Sequence, residues 1–300
     1  MDGPILVTGA DGFVGTHLLA ELGDGARPLE ADVREPSELV EAVRAGAPDA
    51  VVHLAAVSSV GASWKSPAET WQVNAVGTVN LVEALLAVQP AARLLLASTG
   101  EVYGRAEELP TTEAAPVAPT SPYAASKAAA EIASGQAARA RGLDVVVARA
   151  FQHEGPGRDV RFAIGSWTRQ IAELELQGGG ELLVGDLTPE RDITDVRDVC
   201  RAYALLLEAS VPAGTYNVAS GQKVRLADVV SLLAQLATCP VEVVPDPARL
   251  RPVDLPVIWG DASKLAAATG WQPEIPLRQT LADALDYARE VVSQENVAKT

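Results

Sequence analysis

The sequence predicts an α/β fold, a doubly wound parallel sheet followed by a second, smaller α/β domain. Three observations support this fold class. Short aliphatic runs alternate with helical patterns in the first half of the chain, a glycine-rich loop follows the first run, and the regular alternation ends near residue 150. Parallel strands that helices cover on both faces are continuous apolar runs, so the alternation predicts a parallel sheet.

The first half contains the predicted elements of this sheet in chain order. The predicted strands are Ile5–Thr8, Arg27–Glu30, Ala50–Leu54, Arg93–Ser98 and Val145–Arg149. The predicted helices are Phe13–Leu22, Glu38–Arg44, Thr70–Val88 and Tyr123–Arg141. Between Gly23 and Ala50 the chain has room for only one short strand and one helix. A dinucleotide-binding half usually has another strand there, so we expect the adenosine end of the cofactor site to be shortened.

The second half predicts a substrate domain that is assembled from separate pieces. Glycine-rich stretches interrupt it, and its predicted elements are the extended segments Leu182–Val184 and Val241–Val244 and the helix Ala227–Leu236. We expect residues 1–150 to form the dinucleotide-binding domain and residues 151–300 to form mainly the substrate domain. Segments near 192–220 and 256–270 are expected to return to the first domain, which leaves the substrate domain with about 151–191, 221–255 and 271–300.

Composition and charge exclude several classes of protein. The formal net charge of -15 disfavours binding to nucleic acid or to an anionic membrane. No apolar run is expected to reach the about 18 to 20 residues that span a bilayer, and the chain starts in a predicted strand without a basic leader, so we expect a cytoplasmic protein. Two cysteines in unrelated contexts and only three histidines predict no metal site.

The loop after the first predicted strand has the spacing of a dinucleotide-binding loop, Gly9-Ala10-Asp11-Gly12-Phe13-Val14-Gly15. Gly9 permits the tight turn, Gly12 lets a pyrophosphate approach the backbone, and Gly15 lets the helix pack closely on the strand. Amides at a helix N-terminus bind an anion without adding basic residues, which suits an acidic chain. The residues expected to bind the cofactor are therefore Gly9, Asp11, Gly12, Phe13, Val14 and Gly15.

The residues after this loop leave the choice between NAD and NADP open. An acidic residue about 20 positions after the loop holds the adenosine ribose of NAD, and a count from Gly12 reaches Asp32, which Val33 follows. Arg27 and Arg34 lie close enough in sequence to serve the 2′-phosphate of NADP instead. We expect Asp32 and Val33 to border the cofactor, whichever of the two it is.

Tyr123 and Lys127 form a Y-x-x-x-K pair on a predicted helix. Residues four apart share a helix face, so the ammonium group lies beside the phenol. A neighbouring cation favours phenolate, so we expect a lowered tyrosine pKa and proton transfer near neutral pH. Upstream, Ser98-Thr99-Gly100-Glu101 follows a predicted strand at the sheet edge where the cofactor binds. That context separates this pair from the many Y-x-x-x-K pairs on helix surfaces.

Further motifs extend along nearly the whole chain. Besides the glycine loop they are His53-Leu54-Ala55-Ala56, Asn74-Ala75-Val76-Gly77-Thr78, Ser98-Thr99-Gly100-Glu101-Val102-Tyr103-Gly104, Ser121-Pro122-Tyr123-Ala124-Ala125-Ser126-Lys127, Arg149 to Gly157, Arg191-Asp192-Ile193-Thr194-Asp195-Val196-Arg197-Asp198 and Leu250-Arg251-Pro252-Val253-Asp254. With these motifs the chain resembles the extended short-chain dehydrogenases that act on nucleotide sugars, a family with a Rossmann fold. It is most similar to the GDP-4-dehydro-6-deoxy-D-mannose reductases, whose nearest relatives are the GDP-mannose 4,6-dehydratases.

The resemblance implies a role for each matching residue. Thr99 matches the catalytic Ser/Thr that holds the sugar oxygen, and Tyr123 matches the acid/base. Lys127 matches the lysine that lowers the tyrosine pKa and holds the nicotinamide ribose. Glu101 matches the carboxylate that helps dehydratases remove the C5 proton. The resemblance further assigns cofactor contacts to Leu54, Ala55, Ala56 and Asn74, and substrate contacts to Ser98, Gln152, Arg191, Arg251 and Asp254.

Two points about these substrate residues remain open. The family usually has Asn where Gln152 stands, so the contact there is expected to shift. Arginine suits a diphosphate because its planar fork donates two parallel hydrogen bonds, but Arg191 has Asp192 and Asp195 close by in sequence and a surface ion pair is the alternative. The nucleotide is expected to be GDP, and the resemblance favours NADPH over NADH.

Three functions fit these residues. The first is reduction of the C4 ketone of a GDP-4-dehydro-6-deoxyhexose by NAD(P)H, with Tyr123 as the proton donor and a GDP-rhamnose-type product. The second is a GDP-mannose 4,6-dehydratase, or another nucleotide-sugar epimerase or dehydratase, that keeps its NAD(P) bound and uses Glu101 as a base. The third is a non-catalytic dinucleotide sensor. Such a sensor has no need of Tyr123 and Lys127 beside a threonine, so the presence of these residues disfavours it.

The helix Ala124–Arg141 is rich in small residues that let a second helix approach closely. Related enzymes dimerise through this helix and the one at Thr70–Val88 as a four-helix bundle, so we expect a homodimer; close packing within one chain is the alternative. His53 is expected to be structural, whereas His153 lies near the expected substrate site. Three tryptophans are expected to pack rather than to stack on a base: Trp64, Trp71 and Trp167.

Overall fold

The structure, a computed structural model, describes residues 3–250 and 255–298. Its strands are β1 Ile5–Thr8, β2 Ala26–Pro28, β3 Ala50–His53, β4 Arg93–Thr99, β5 Asp144–Ala150, β6 Gln152–Glu154, β7 Gly180–Val184, β8 Glu190–Asp195, β9 Gly214–Val218, β10 Lys223–Arg225, β11 Val241–Pro245 and β12 Val257–Ile258. Its helices are α1 Phe13–Leu22, α2 Pro36–Gly46, α3 Val60–Lys65, α4 Pro67–Trp71, α5 Gly77–Val88, α6 Pro122–Arg141, α7 Ala163–Gln177, α8 Val196–Leu206, α9 Leu226–Leu236, α10 Ser263–Thr269 and α11 Leu277–Val297.

Six parallel strands form the central sheet in the order β2-β1-β3-β4-β5-β9. The order reverses at β1, so a crevice opens beyond the carboxyl ends of β1 and β3, where sheets of this kind bind ligands. Alternate residues of each strand face opposite cores: Val7 and Val52 pack with Tyr203 of α8, whereas Leu6 and Val51 pack on the other side. The predicted doubly wound parallel fold is confirmed.

The carboxyl-terminal half builds smaller sheets around a separate core. Strand β8 pairs with β10, β12 and β6, and β7 pairs with β11. Helices α7, α9 and α11 enclose a core that includes Ile164, Trp167, Leu182, Leu233 and Leu285. Between these pieces the chain returns to the first unit, because α8 packs on α1 and β9 joins the central sheet. The exact domain boundaries stay a prediction.

Strand β2 is short and lies at the edge of the central sheet. It covers Ala26–Pro28 rather than the predicted Arg27–Glu30, and among the described strands it pairs with β1 alone. A proline has no backbone N–H to extend a strand, which fits an edge position. The expected shortening of the adenosine end therefore corresponds to a three-residue edge strand beside the glycine loop.

The helix predicted at Thr70–Val88 belongs to a longer continuous helix over Pro67–Val88, with a π-helical segment at Gln72–Val76. By length and composition alone this helix is able to span a membrane, and it is the one such helix within the described ranges. The helix is not an uninterrupted apolar run, because Glu69, Asn80 and Glu83 lie within it, so it does not contradict the expectation that no apolar run reaches that length. In this fold, however, its α5 part packs between α2 and α6 beside the sheet.

The three tryptophans differ in exposure. Trp167 lies in the core with 3% of its surface exposed, as expected. Trp64 of α3 and Trp71 of α4 are 45% and 42% exposed, so they are only partly covered, and the expectation that they pack rather than stack on a base stays a prediction. Both helices pack against α6, which places these indoles beside the small-residue helix.

Candidate active site

The glycine loop connects β1 to α1 at the crevice of the central sheet. Gly9 has a φ of 63°, and a Cβ at Gly15 would lie 2.4 Å from the carbonyl oxygen of Gly9, so neither position accepts a side chain. Gly12 is the N-cap residue of α1 and has no side chain to cap the helix, and the first turn of α1 contains no acidic residue. The free amides of this turn make an anion-binding helix N-terminus, and the loop fits the pyrophosphate of a dinucleotide.

Thr8 fixes the segment that lies beside this loop. Its hydroxyl accepts hydrogen bonds from the backbone amides of Leu54 and Ala55, both at 3.1 Å, and contacts His53 Nδ1 at 2.7 Å. Burial, together with the charge of Lys127, lowers the pKa of His53 to about 3, so the ring is neutral. His53 is therefore structural, and Leu54, Ala55 and the following Ala56 form one side of the loop's crevice.

Two charged groups meet at the expected adenosine end. Arg34 Nε donates to both carboxylate oxygens of Asp32 at 3.0 Å, and this hydrogen bonding lowers the pKa of Asp32 to about 2. Arg27 instead donates to the carbonyl of Gly46 at 3.0 Å, so of the two candidate arginines Arg34 remains at this edge. Val33 is buried next to them in the sheet core, which leaves only its backbone to border a cofactor.

Asn74 differs from its predicted role as a cofactor contact. It is buried, its Oδ1 accepts from the Val57 amide at 2.8 Å, and its Nδ2 donates to the Val57 carbonyl at 3.1 Å and to Ser126 Oγ at 3.0 Å. Both amide hydrogens are thus used inside the protein. The prediction of direct contact is corrected: Asn74 joins the loop after β3 to α6, the helix that carries Tyr123.

Thr99 and Tyr123 come together because β4 ends where α6 begins. Thr99 is the last residue of β4, and its Oγ1 accepts from the Glu101 amide at 3.2 Å in the turn that follows. Ser121 caps α6 by accepting from the Ala124 amide at 3.1 Å, which places Tyr123 in the first turn. A cavity of about 610 Å³ is lined by Thr99, Glu101 and Tyr123 at one end.

The ionisation of this group differs from the prediction. Burial raises the pKa of Tyr123, the charge of Glu101 raises it further, and a hydrogen bond with Thr99 and the charge of Arg158 act in the opposite direction. Burial also lowers the pKa of Lys127 to about 8, while the charge of Glu131 raises it. The expected lowering of the phenol pKa is wrong for this structure because burial dominates. Tyr123 therefore holds its proton at neutral pH.

Beneath the catalytic strand end lies a buried polar network. Arg149 Nη2 pairs with Glu131 at 2.6 Å, and its guanidinium lies 4.7 Å from the centre of the Tyr103 ring. The Ser98 hydroxyl donates to the same Glu131 carboxylate. Ser98 lines the cavity, and although its hydroxyl donates within this network it can still accept a hydrogen bond, so its contact with the substrate stays a prediction.

The other end of the cavity is rich in arginine. Arg191 of β8 lines it and is 5% exposed. The two neighbouring aspartates have other partners: Asp192 accepts from Ser220 and backbone amides, and Asp195 pairs with Arg197 at 2.8 Å. The ion-pair alternative for Arg191 is therefore wrong for both aspartates. Arg251 and Asp254, the other predicted substrate contacts here, lie outside the described residues.

Comparison with known proteins decides the family. The model of the GDP-mannose 4,6 dehydratase family matches residues 20–284. The chain belongs to this family. It is 39% identical to the GDP-6-deoxy-D-mannose reductase of Pseudomonas aeruginosa, over 97% of this chain and 99% of that protein. It is 28% identical to the GDP-mannose 4,6-dehydratase of Yersinia enterocolitica, over 84% of this chain and 76% of that protein.

Solved structures give the same family relationship. RMD from P. aeruginosa complexed with NADPH superimposes with a TM-score of 0.90 at 38% identity, over 96% of this chain and 99% of that one. UDP-glucose 4-epimerase of Thermotoga maritima with UDP-glucose superimposes with a TM-score of 0.87 at 25% identity, over the same shares of the two chains. Enzymes of this family and its neighbours are NAD(P)-dependent and act on nucleotide sugars, which agrees with the glycine loop and the cavity described above.

Three arginines that the sequence analysis did not assign also line the cavity: Arg158, Arg161 and Arg249. The guanidinium carbon of Arg158 lies 3.6 Å from the centre of the Phe162 ring and 4.9 Å from that of Phe13 in the glycine loop. Arg249 donates to Ser166 Oγ at 3.0 Å. Arg158 follows the Gly155-Pro156-Gly157 turn directly, and Arg249 precedes a matching motif by one residue, so a search for cations beside the motifs would have found both.

Proposed function

We propose that this chain is an NADPH-dependent reductase that acts on the C4 ketone of a GDP-4-dehydro-6-deoxyhexose. The near full-length similarity to a GDP-6-deoxy-D-mannose reductase carries this proposal. The dehydratase relative is less similar, and the alignment covers about three quarters of its length. The cavity supports the proposal because it joins a proton donor, Tyr123, to an arginine-rich end.

The residues of the reaction end divide the chemistry between them. A bound reduced nicotinamide supplies a hydride. Tyr123, whose raised pKa keeps the phenol protonated, donates its proton to the oxygen that forms at C4. The Thr99 hydroxyl donates a hydrogen bond to the same oxygen and stabilises its developing charge. This division requires a protonated tyrosine at the start of the reaction, which the burial that raises the pKa of Tyr123 favours.

Lys127 acts beneath this pair. It lies one helical turn after Tyr123, is 5% exposed and has a pKa near 8, so its charge is present at neutral pH. By the family resemblance it holds the nicotinamide ribose. An ammonium group donates hydrogen bonds but accepts none, so it suits ribose hydroxyl oxygens. We assign it to orienting the cofactor in front of Tyr123.

The arginine end is assigned to the nucleotide diphosphate. Arg191 and Arg249 line it from different segments, and Leu226 and Leu250 add apolar surface. Guanidinium groups bind diphosphate oxygens in a bidentate fashion, and placed cations matter in a chain with a net charge of -15. The GDP identity of the nucleotide rests on the relatives' substrates.

One observation favours the second candidate, a GDP-mannose 4,6-dehydratase. Glu101 lines the cavity with Tyr123, and its charge raises the pKa of Tyr123, which shows that the two groups lie close together. A carboxylate beside the reacting sugar is the kind of group that removes the C5 proton in a dehydratase. Purified protein is incubated with GDP-mannose alone and, separately, with GDP-4-dehydro-6-deoxymannose plus NADPH. The reductase proposal predicts NADPH consumption in the second mixture and no reaction in the first. Loss of water from GDP-mannose without added cofactor would contradict it.

The choice of NADPH is supported by the cofactor in the similar P. aeruginosa structure. Arg34 supports it as well, since it is the arginine of the adenosine edge and donates to Asp32 through Nε and Nη2. We expect Arg34→Ala to raise the KM for NADPH several-fold, about 3- to 10-fold if one exposed charge-assisted hydrogen bond is lost, and to leave the KM for NADH unchanged. Equal effects on both cofactors would contradict a 2′-phosphate contact.

The homodimer is proposed to form through α5 and α6. Exposed apolar residues lie on this side of the molecule: Trp64, Trp71, Val76, Val79 and Ile132. Ile132 is 68% exposed on the small-residue helix α6, and such a patch marks an interaction surface. Ile132→Glu should convert the dimer to a monomer in sedimentation velocity, whereas a wild-type monomer would contradict the proposal.

We place the enzyme in the cytoplasm, where NADPH and nucleotide sugars are made.

A further inference from the structure

Strand β6 forms a floor of the cavity between its two ends. Its first residue, Gln152, follows β5 by two positions, and the last residue of β5, Ala150, lies beside Thr99 in the sheet register. On its other side Gln152 pairs with Ile193 of β8, two positions from Arg191. Gln152 therefore lies between the catalytic threonine and the diphosphate arginine, where a hexose would lie.

Glu154, two residues further on, is a buried carboxylate with one used and one unused oxygen. It is 1% exposed, and its Oε1 accepts from Gln152 Nε2 at 3.0 Å. Its Oε2 has no hydrogen-bond partner among the described residues, and Arg158 Nε lies 3.5 Å from it. Glu154 is among the residues around the cavity, but with 1% of its surface exposed it offers a ligand little contact, and its hydrogen bond with Gln152 carries its effect on the cavity.

The carboxylate determines which end of the Gln152 amide faces the ligand. A carboxylate accepts hydrogen bonds and donates none, so the amide nitrogen turns toward Glu154. Burial raises the pKa of Glu154, while the charge of Arg158 and the hydrogen bond from Gln152 act in the opposite direction. Gln152 Oε1 forms no hydrogen bond with any residue in the described ranges, so the group left for a ligand is an acceptor.

An acceptor at this position selects a particular part of a nucleotide sugar. Sugar hydroxyls donate hydrogen bonds, whereas the oxygens of an ionised diphosphate accept them and are repelled by a neighbouring carboxylate. We propose that Gln152 is a specificity-determining residue that accepts a hydrogen bond from a hexose hydroxyl, and that Glu154 is the positioning residue that fixes its amide. This inference rests on the proposed function in that the ligand is a nucleotide sugar.

The test compares a nucleotide sugar with the same nucleotide that lacks the hexose. GDP-mannose and GDP are titrated by calorimetry into the full-length protein loaded with NADPH, a form in which GDP-mannose has no oxidised cofactor to react with. Glu154→Gln removes the constraint on the amide, and Gln152→Met removes the acceptor at nearly constant volume. Both variants should raise the Kd for GDP-mannose about 3- to 10-fold, which corresponds to the loss of one neutral hydrogen bond. The Kd for GDP should change less than about twofold.

The two ligands also separate this inference from a merely structural role. A structural defect or a diphosphate contact would weaken GDP as much as GDP-mannose, and that result overturns the inference. Unchanged affinity for both ligands overturns it as well. Gln152→Met decides the question if Glu154→Gln impairs folding, and Gln222→Met, at an exposed glutamine away from the cavity, is the matched control.

The test does not depend on guanine being the base of the nucleotide. If wild-type protein binds UDP-glucose and UDP more tightly than the GDP pair, the proposed substrate is wrong, and the same comparison is made with the UDP pair. Selective weakening of the sugar ligand then still supports the contact between Gln152 and the hexose. Equal weakening of both ligands contradicts that contact whichever nucleotide the enzyme prefers.

Discussion

The two ends of the cavity are built in different ways. The reaction end is lined by Thr99, the last residue of β4, by Glu101 in the turn that follows, and by Tyr123 in the first turn of α6; Lys127 lies one helical turn further along α6. The arginine end collects Arg191, Arg249 and other residues from separate segments of the smaller unit. The central sheet and α6 thus hold the residues of the proposed chemistry close together, whereas the residues proposed to bind the nucleotide come from segments that only the folded chain brings together.

The electrostatics of the two ends differ accordingly. At the reaction end burial changes the ionisation of the groups, raising the pKa of Tyr123 and lowering that of Lys127. At the other end arginine keeps its charge whatever its environment, because its ordinary pKa lies far above neutral. Substitutions at the reaction end should therefore change kcat, and substitutions at the arginine end should change KM.

The largest effect is expected for Tyr123→Phe. This variant removes the proton donor and keeps the ring, so kcat should fall by about 100- to 10,000-fold, the range of general acid catalysis. The KM for the nucleotide sugar should stay within about threefold, since the ring still fills the same volume. Stopped-flow absorbance of NADPH measures the chemical step. A variant with unchanged turnover of the ketosugar would remove Tyr123 from the mechanism.

A smaller effect, on binding, is expected for Arg191→Met. A hydrogen bond to a charged group contributes about 1.5 to 3 kcal/mol, so the KM for the nucleotide sugar should rise about 10- to 100-fold while kcat changes little. Arg225→Met is the matched control, since this arginine of β10 is 67% exposed and lies outside the cavity. A fall in kcat without a change in KM would show that the two ends are not separate.

A smaller effect on the KM for the nucleotide sugar is expected for Arg249→Met. Its side chain is 37% exposed and its guanidinium already pairs with Asp246 at 3.2 Å, so solvent screening should reduce its contribution to diphosphate binding. We expect the KM for the nucleotide sugar to rise about 2- to 5-fold, less than for Arg191→Met, in steady-state assays under the same conditions. A larger effect than that of Arg191→Met would reverse the assigned order of the two arginines.

The smallest expected effect concerns stability and pH. The pKa of Lys127 is lowered from 10.5 to about 8 in the folded protein, so between these values the unfolded chain binds more protons. The contribution of this group to the free energy of unfolding therefore rises with pH from about 8 to 10.5. Urea unfolding at pH 8 and at pH 10.5 measures this change. The free energy of unfolding should rise less for Lys127→Met than for the wild type, because the other groups titrate equally in the two proteins. Identical pH dependence would show that Lys127 is not a buried cation.

The two ends also differ in how well the sequence predicts them. The glycine loop, Thr99 and the pair on α6 follow from local patterns, because a strand end and a helix start place them whatever the rest of the chain does. Arg158 and Arg249 stand beside recognisable motifs, but no local pattern shows that their side chains reach the cavity, because tertiary packing brings their segments there. The wrong pKa of Tyr123 and the misassigned Asn74 have a related cause, since burial and hydrogen-bond partners are properties of the folded chain.

The most direct test of the central claim follows the hydrogen that reaches the sugar. Purified protein is incubated with GDP-4-dehydro-6-deoxymannose and NADPH that carries deuterium at the transferable C4 position of the nicotinamide. Mass spectrometry and NMR of the isolated product then locate the label. A reductase predicts one deuterium at C4 of a GDP-6-deoxyhexose, and Tyr123→Phe should abolish it. A sugar without deuterium, together with dehydration of GDP-mannose in the absence of added NADPH, would contradict the assignment.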